Sequence, residues 1–236
     1  MTVAILMPAY DETGALAPAL ASLRSVAAEA GGILVLLVDD GSRVPIEPAS
    51  LPATDADFAI LLARHPVNLG QGAALETARQ LALLESPCAA YVTMDSDGQH
   101  RAEDAIALAR AVEAGADVAF GNRFLGDSNV PWARAVLLHA ARIFERALTG
   151  LQLHDAHNGL RAFIRRALET IPIRQNRMAH ATEIKLRVRD ARSLVVVEVP
   201  VSVRYTRETL GKGQRGAGAA DIVRDLLAQY LFGESR

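Results

Sequence analysis

Short runs of apolar residues alternate with helix-like segments along the first half of this chain, and this alternation constrains the fold more than any other feature. Strand-like runs occur at Val3–Met7, Ile33–Val38, Phe58–Ala63, Tyr91–Met94 and Asp117–Phe120. Helical patterns cover about residues 12–28, 70–84 and 102–114. Because the strand-like runs are continuously apolar, we expect both faces of their sheet to be covered. The sequence predicts an α/β fold with a mostly parallel, doubly wound sheet flanked by helices.

The pattern changes after residue 128. It predicts a helix over residues 131–150, a strand over Leu194–Tyr205, a basic, glycine-rich loop and a last helix over residues 222–231. Pro200 interrupts the predicted strand, and a proline cannot donate a hydrogen bond to a neighbouring strand. We therefore expect that strand at the edge of the sheet, with a bulge.

The composition excludes several classes of protein. The chain has 236 residues, of which 50% are apolar and 22% charged, and a net charge of −2, so we expect no nucleic-acid binding. Its single cysteine, Cys88, excludes an internal disulfide and is typical of a reducing compartment. Met1–Pro8 lacks the basic segment of a signal peptide, and the longest strong apolar run, Ile33–Val38, is too short to cross a bilayer. We expect one cytoplasmic domain without a membrane span.

Four polar clusters lie beside the predicted strands. Pro8–Glu12 follows the first strand, Asp39–Ser42 the second and Asp95–His100 the fourth, while Asn68–Gly72 precedes a helix. Each cluster is a weak signal alone, since an isolated D-D-G-S or D-x-D usually forms a turn or a helix cap. The carboxyl ends of parallel strands share one edge of a sheet, and ligands bind there. Together the clusters predict one binding site.

The chemistry of this site follows from its carboxylates. Asp95 and Asp97 are separated by one residue, and Mg²⁺ takes oxygen ligands from one or two carboxylates and the phosphates of a substrate. An acidic side chain such as Asp39 can accept hydrogen bonds from ribose hydroxyls or a base N–H, and Pro8–Glu12 can form a wall beside the base. The sequence thus predicts a metal-assisted site for a nucleoside diphosphate.

These residues resemble the family 2 glycosyltransferases of the GT-A fold, and most closely the polyprenyl-phosphate mannosyl- and glucosyltransferases of the dolichyl-phosphate mannose synthase type. The resemblance extends from about Val3 to Phe232. The family motifs P-A-Y-N-E, D-D-G-S, N-x-G-x-G, D-x-D-x-Q-H, G-x-R and D-x-x-x-G-x-R are matched, in order, by Pro8–Glu12, Asp39–Ser42, Asn68–Gly72, Asp95–His100, Gly121–Arg123 and Asp155–Arg161. The chain departs from the family at Asp11, where the family has Asn, at Arg101–Glu103, where the family has a Pro-Glu ending, and at Asn158–Leu160, where the family has Ser-Gly-Phe. It also departs in that we expect no transmembrane helices after residue 232.

The resemblance implies a single GT-A domain over residues 1–236, with a nucleotide-sugar-binding half (1–128) and an acceptor-binding half (129–236) that contains a mobile basic loop, 204–218. It implies that Mg²⁺ or Mn²⁺ is coordinated by Asp95, Asp97 and Gln99. The nucleotide-sugar donor would be bound by Pro8, Tyr10, Glu12, Asp39, Asp40, Gly70, Asp95 and Ser96. Acceptor phosphate would be bound by Arg161, Arg204, Arg207 and Lys212.

The implied catalytic residues are Asp97, Arg123, Asp155 and Glu183, with Arg123 meeting the diphosphate or the acceptor phosphate. The implied reaction moves a hexose from UDP-glucose or GDP-mannose to a polyprenyl phosphate, with inversion at the anomeric carbon. A phosphate with a second pKa of about 6 is largely dianionic at neutral pH and needs no strong base. A saccharide hydroxyl would instead need a carboxylate or histidine, for which Asp155, His157 and Glu183 are candidates.

Two alternatives stay open at this stage: transfer to a saccharide hydroxyl in cell-surface polysaccharide assembly, and a nucleotide-sugar-binding subunit that is active only with a membrane partner. We expect the chain at the inner face of the membrane, held by peripheral contact or by a small integral membrane protein, and a homodimer is compatible with the sequence. A haloacid-type phosphatase would carry its D-x-D after the first strand, and a Rossmann dehydrogenase would need G-x-G-x-x-G there. Pro8–Glu12 occupies that position instead.

Overall fold

The computed structural model describes residues 2–12, 14–85, 87–126, 146, 150, 153–155, 158–176 and 179–203. Within these ranges the strands are β1 (Val3–Ala9), β2 (Ile33–Asp39), β3 (Phe58–Arg64), β4 (Ala90–Thr93), β5 (Val118–Asn122), β6 (Arg161–Phe163) and β7 (Val196–Pro200). The helices are α1 (Leu16–Val26), α2 (Gln71–Leu84), α3 (Ala102–Glu113), α4 (Arg165–Thr170) and α5 (Ala179–Asp190). A short 3-10 helix covers Pro48–Ser50.

The described strands form one sheet in the order β3-β2-β1-β4-β6-β5-β7. β1 pairs in parallel with β2 and β4, β2 with β3, and β5 with β7. β6 runs antiparallel to both of its neighbours, β4 and β5. The predicted mostly parallel α/β sheet is therefore confirmed, with one short reversed strand that the sequence pattern did not predict.

Both faces of the sheet are covered, and this explains why its strands are continuously apolar. Val3, Ile5 and Met7 of β1 pack in a core cluster with residues of α1 and α3. The alternate residues Ala4 and Leu6 pack in a second cluster with residues of α2, α4 and α5. A strand that is buried on both faces needs apolar side chains at every position.

One helix begins later than the sequence predicts, whereas the last described strand lies at the edge of the sheet, as predicted. α1 begins at Leu16, whereas we expected a helix from about residue 12. Asp11 has a φ of 53°, in the left-handed region, so the chain turns before the helix can begin. β7 lies at the edge of the sheet as expected, and Pro200 is its last residue, where it is level with Asn122 of β5.

Several predicted segments lie outside the described residues. They are most of the helix at 131–150, the last two residues of the predicted strand (204 and 205), the basic loop 204–218 and the helix at 222–231. The predicted division of the domain at residue 128 also falls there and stays a prediction. In the described ranges, no helix combines the length and the apolar character needed to cross a membrane.

Asp117 is buried just before β5 and connects three elements. Its Oδ1 accepts hydrogen bonds from Nε and Nη2 of Arg166 on α4, at 3.0 and 2.6 Å, and its Oδ2 accepts one from the backbone N–H of Val195, at 2.8 Å. The Val195 bond and the Arg166 guanidinium lower the pKa of Asp117 below its ordinary 3.8, against the opposing effect of burial. The ionised carboxylate thus stabilises this end of the sheet.

We predict that Asp117→Ala lowers the free energy of unfolding by about 1–3 kcal/mol, because it leaves the Val195 N–H without its acceptor. Urea denaturation measures this change. Exposed Glu113 provides the control, since Glu113→Ala should shift stability by less than about 0.5 kcal/mol. The difference between wild type and Asp117→Ala should persist at neutral pH and disappear as the pH falls through the lowered pKa of Asp117. Equal stabilities at pH 7 would contradict this role.

Candidate functional site

The parallel pairing brings the ends of β1, β2 and β4 to one edge of the sheet. Ala9 is level with Asp39, and Leu6 is level with Thr93. The segments that follow these strands, which contain Tyr10, Asp40 and Asp95, therefore leave the sheet side by side. The structure brings together the clusters that the sequence singled out.

The D-x-D turn is held to β1 and to itself. The buried Ser96 hydroxyl donates to the carbonyl oxygen of Pro8, at 2.8 Å. Gln99 donates twice to Asp97: its backbone N–H to Oδ1, at 3.0 Å, and its side-chain Nε2 to Oδ2, at 2.6 Å. Ser96 and Pro8 thus fix the turn, and their predicted contacts with a nucleotide stay a prediction.

Asp95 is enclosed more tightly than Asp97. Its Oδ1 accepts a hydrogen bond from Nε2 of Gln71, at 2.8 Å, and its Oδ2 lies 3.7 Å from Nε2 of His100. A Cβ on Gly159 would overlap Oδ2 and would lie 2.8 Å from Cγ of Asp95. Gly159 is itself fixed, because its carbonyl oxygen accepts a hydrogen bond from the Thr93 hydroxyl, at 2.7 Å. Only glycine leaves room for the Asp95 carboxylate here.

The two carboxylates have opposite pKa shifts. Burial raises the pKa of Asp97, and the negative charges of Asp95 and Glu12 raise it further. Burial also acts to raise the pKa of Asp95, but the neighbouring His100, together with the positive charges of Arg161 and His180, outweighs it and lowers that pKa. The surroundings therefore disfavour the ionised form of Asp97 and favour that of Asp95.

This electrostatic pattern fits a divalent cation. Among the described residues, no group of three or more His, Cys, Asp or Glu side chains is arranged to hold a metal by itself. Mg²⁺ and Mn²⁺ nevertheless bind through one or two carboxylates when substrate phosphates and water complete the coordination. The coordination of a cation by Asp95 and Asp97 stays a prediction, and a cation there would favour the ionised form of Asp97 that its surroundings disfavour.

Asp39 and Asp40 both hold loops of the site. Asp39 accepts hydrogen bonds from the N–H of Ser42, at 2.9 Å, the N–H of Ile46, at 3.2 Å, and Nη1 of Arg64, at 3.0 Å. Burial acts to raise the pKa of Asp39, but these bonds and the Arg64 charge lower it. Its predicted contact with the nucleotide stays a prediction.

Asp40 anchors the loop that precedes α2. Its Oδ1 contacts Nδ1 of His65, at 2.7 Å, and accepts the N–H of Leu69, at 3.0 Å, while Oδ2 accepts the N–H of Gly70, at 2.8 Å. Nε2 of His65 in turn contacts the Thr77 hydroxyl, at 2.9 Å. This geometry shows that Asp40 holds the loop in place. The nucleotide-binding roles predicted for Asp40 and Gly70 stay predictions.

Tyr10 and Glu12 lie at the open side of the site. Tyr10 follows β1 and is 43% exposed, so its ring is available to a ligand. Glu12 is half-buried and close enough to Asp97 for its charge to raise the pKa of that carboxyl. Between them, Asp11 accepts hydrogen bonds from the N–H and Nε of Arg43, at 2.9 and 2.8 Å. This ion pair joins the loop after β1 to the loop after β2.

Arg123 and Asp155 form a buried ion pair. Asp155 Oδ2 accepts hydrogen bonds from the backbone N–H and Nε of Arg123, at 3.0 and 2.6 Å, and from Nδ2 of Asn158, at 3.2 Å. The Asp155 side chain is fully buried, and its Oδ1 accepts no hydrogen bond from a described residue. The structure thus joins two predicted catalytic residues into one unit.

Glu183 on α5 has a visible structural role. Its Oε2 accepts the N–H groups of Arg174 and Gln175, at 2.8 and 2.7 Å, and its Oε1 accepts Nη2 of Arg187, at 2.7 Å. Both oxygens are thus engaged, and its predicted catalytic role stays a prediction.

Arg161 is buried on β6, and its charge acts on Asp95. Arg204, Arg207, Lys212 and His157 lie outside the described residues.

Sequence reasoning did not identify Gln71 and Gly159 as functional residues. Both lie inside motifs that it recognised, since Gln71 is part of Asn68–Gly72 and Gly159 part of Asp155–Arg161. Their positions inside these motifs were the available signal. Their shared contact with Asp95 joins segments that are far apart along the chain, so only the fold reveals it.

Comparison with known proteins identifies the family of this chain. The sequence model described as glycosyl transferase family 2 matches residues 4–172. Polyprenol monophosphomannose synthase of Mycolicibacterium smegmatis is 31% identical over 88% of this chain and 78% of that relative. Undecaprenyl-phosphate mannosyltransferase of Micrococcus luteus is 27% identical over 92% of this chain and 89% of that relative.

A solved structure agrees with the fold. Glucosyl-3-phosphoglycerate synthase from Mycobacterium tuberculosis, in complex with Mn²⁺, UDP and phosphoglyceric acid, superposes with a TM-score of 0.65 over 99% of this chain and 80% of that chain. The two sequences are 18% identical, so this likeness shows the fold alone. It confirms the predicted GT-A fold.

We predict that Asp97→Asn raises the melting temperature of the protein without added metal at neutral pH. The pKa of Asp97 in the folded protein lies above its ordinary 3.8, so the ionised carboxylate opposes folding at a pH above that folded pKa. The amide of asparagine removes this charge.

The same change should weaken Mn²⁺ binding in the presence of UDP at least about a hundredfold, since one unit charge at about 4 Å contributes roughly 4 kcal/mol at an effective dielectric of about 20. Thermal melts and Mn²⁺ titrations measure the two effects, and unchanged Mn²⁺ affinity would contradict the assignment.

We also predict that Gly159→Ala weakens Mn²⁺ binding about tenfold or more and destabilises the fold by about 1–3 kcal/mol, because the new methyl group displaces Asp95. Gly14→Ala is the matched control, since a Cβ at Gly14 meets nothing within 4 Å. The control should bind Mn²⁺ like wild type. A Gly159→Ala protein that does the same would show that Asp95 does not need this space.

Proposed function

The chain belongs to glycosyl transferase family 2 and is a glycosyltransferase, and from this premise we propose that it transfers a hexose from a nucleotide-diphospho-sugar to a polyprenyl phosphate, with inversion at the anomeric carbon. UDP-glucose and GDP-mannose are the donors that we propose. We also propose that Asp95 and Asp97 hold a divalent cation and that this cation is Mg²⁺ or Mn²⁺.

The acidic corner supports the donor class. A nucleoside diphosphate brings negative charge and phosphate oxygens, and both suit a cation that is only partly coordinated by Asp95 and Asp97. When bound, the cation would act as a Lewis acid that stabilises the charge on the departing diphosphate. The related glucosyl-3-phosphoglycerate synthase was crystallised with Mn²⁺ and UDP, which is consistent with this choice.

The observation that carries the acceptor class is the state of Glu183 and Asp155, the two candidate bases that the structure describes. Glu183 has both oxygens engaged by backbone and arginine donors, and Asp155 is fully buried against Arg123. Neither carboxylate is placed like an exposed base for a sugar hydroxyl. A polyprenyl phosphate needs no strong base, because its oxygen is already charged at neutral pH. The two relatives are named polyprenol monophosphomannose synthase and undecaprenyl-phosphate mannosyltransferase, and these names support the same acceptor.

The proposed reaction is one displacement. An acceptor phosphate oxygen forms a bond to C1 of the hexose while the bond from C1 to the β-phosphate oxygen breaks. The departing nucleoside diphosphate keeps the bonding electron pair, and attack from the opposite face inverts the configuration at C1. Arg123, which is held by Asp155, is proposed to stabilise a phosphate group through its positive charge.

The test is an assay of purified protein with Mg²⁺ or Mn²⁺, either GDP-mannose or UDP-glucose, and a short polyprenyl phosphate, with the lipid product detected by mass spectrometry. We expect a polyprenyl-phospho-hexose from one of these donors, and Asp97→Ala should lower kcat/KM at least about a hundredfold. A panel of oligosaccharides replaces the lipid in a parallel reaction. Transfer to an oligosaccharide without a lipid product would favour the hydroxyl acceptor, and nucleotide binding without transfer would favour a subunit that requires a partner.

A further inference from the structure

Residues 171–176, which we call the crossing segment, connect α4 to the region before α5 and pass over the N-terminal end of α2. Glu76 on α2 accepts the N–H of Ile173 through Oε2, at 2.8 Å. Glu183 on α5 accepts the next two N–H groups, those of Arg174 and Gln175, at 2.8 and 2.7 Å. Carboxylates from two helices thus hold three consecutive backbone groups, so the position of the crossing segment is fixed.

Asn176, at the end of the crossing segment, caps α2. Its Oδ1 accepts the N–H of Gly72, at 2.9 Å, and of Ala73, at 3.3 Å, and its Nδ2 donates to the carbonyl oxygen of Leu69. The local N-cap residue, Gly70, has no side chain for this purpose. The first N–H groups of a helix lack partners within the helix, and an asparagine oxygen is among the best acceptors for them. α2 obtains its cap from a residue about a hundred positions later.

Two glycines allow the crossing segment to lie this close to the start of α2. A Cβ on Gly70 would lie 2.7 Å from Cγ of Asn176, and a Cβ on Gly72 would lie 3.0 Å from the carbonyl carbon of Gln175 and overlap its oxygen. Gly70 also has a φ of 98°, which side chains rarely adopt. The glycines of the N-x-G-x-G motif therefore accommodate the crossing segment in this structure.

The cap acts next to the proposed cation site. Gln71 is the first residue of α2, and it lies between the two glycines. Its Nε2 donates to Oδ1 of Asp95, at 2.8 Å. Asn176 bonds to the two residues that follow Gln71, and it thereby fixes the direction of the first helical turn. The direction of that turn sets where the Gln71 amide points.

We propose that Asn176 is a positioning residue: it caps α2 from the crossing segment and thereby holds Gln71 against Asp95. The inference rests on the proposed function, since it concerns the Asp95 carboxylate that is proposed to hold the cation. It adds a connection between the two predicted halves of the domain, because Glu183 and Asn176 lie in the predicted acceptor-binding half and Asp95 in the predicted donor-binding half.

The test measures Mn²⁺ affinity by electron paramagnetic resonance in the presence of UDP or GDP, whichever the wild-type protein binds, so no turnover is required. Asn176→Ala should weaken Mn²⁺ binding about tenfold or more, as is typical when a group that orients a metal ligand is removed. Asn176→Asp keeps the acceptor oxygens and should restore most of the affinity. Val112→Ala, in the core on α3, is the control for loss of stability and should bind Mn²⁺ like wild type.

A double-mutant cycle separates positioning from a general structural effect. Gln71→Met removes the bond to Asp95 and keeps a helix-forming residue of similar size. If Asn176 acts through Gln71, adding Asn176→Ala to Gln71→Met should change the Mn²⁺ affinity by less than about twofold. Independent, multiplicative losses, or an Asn176→Ala protein with wild-type affinity, would overturn the proposal.

The outcomes also distinguish this inference from the proposed function. A wild-type protein that binds Mn²⁺ with UDP but transfers no hexose in any reaction would refute the proposed transfer, while the affinity measurements on Asn176 would still decide the positioning role. A wild-type protein that binds no Mn²⁺ with either UDP or GDP would overturn the cation site on which both proposals rest.

Discussion

The unfavourable surroundings of an ionised Asp97, just after β4, are the constraint on which the site depends. Burial raises the pKa of Asp97, and the negative charges of Asp95 and Glu12 raise it further, whereas the positive groups around Asp95 outweigh burial and lower the pKa of Asp95. The protein thus favours the ionised form of Asp95 and disfavours the ionised form of Asp97. Such an arrangement weakens the fold by itself and gains stability when a cation binds.

Much of the surrounding structure serves to hold this pair in place. Ser96 attaches the turn to β1, Gly159 leaves space for the Asp95 carboxylate, and Gln71 donates to it. Other acidic residues of the motifs, Asp39 and Asp40, accept backbone N–H groups of the neighbouring loops. A carboxylate that accepts backbone hydrogen bonds fixes a loop without regular secondary structure. The motifs therefore combine ligand chemistry with loop structure.

The sequence predicted the larger features because they depend on local patterns. Continuous apolar runs such as Ile33–Val38 indicated a sheet covered on both faces, and polar clusters at the strand ends indicated one site. β6 was missed because it has only three residues, Arg161–Phe163, and reverses the direction of the sheet. The cap on α2 was also missed, because Asn176 meets Gly72 only after the chain has folded back. Long-range hydrogen bonds leave no periodic signal in a sequence.

The central claim is that Asp95 and Asp97 together hold a divalent cation beside a nucleoside diphosphate. Its most direct test is a crystal structure of the protein grown with Mn²⁺ and UDP or GDP, with diffraction data collected to give the anomalous signal of manganese. The claim predicts an anomalous peak within coordination distance of an oxygen from each aspartate and of the nucleotide phosphates. A bound nucleotide with no peak at this corner, or with manganese held elsewhere, would contradict it.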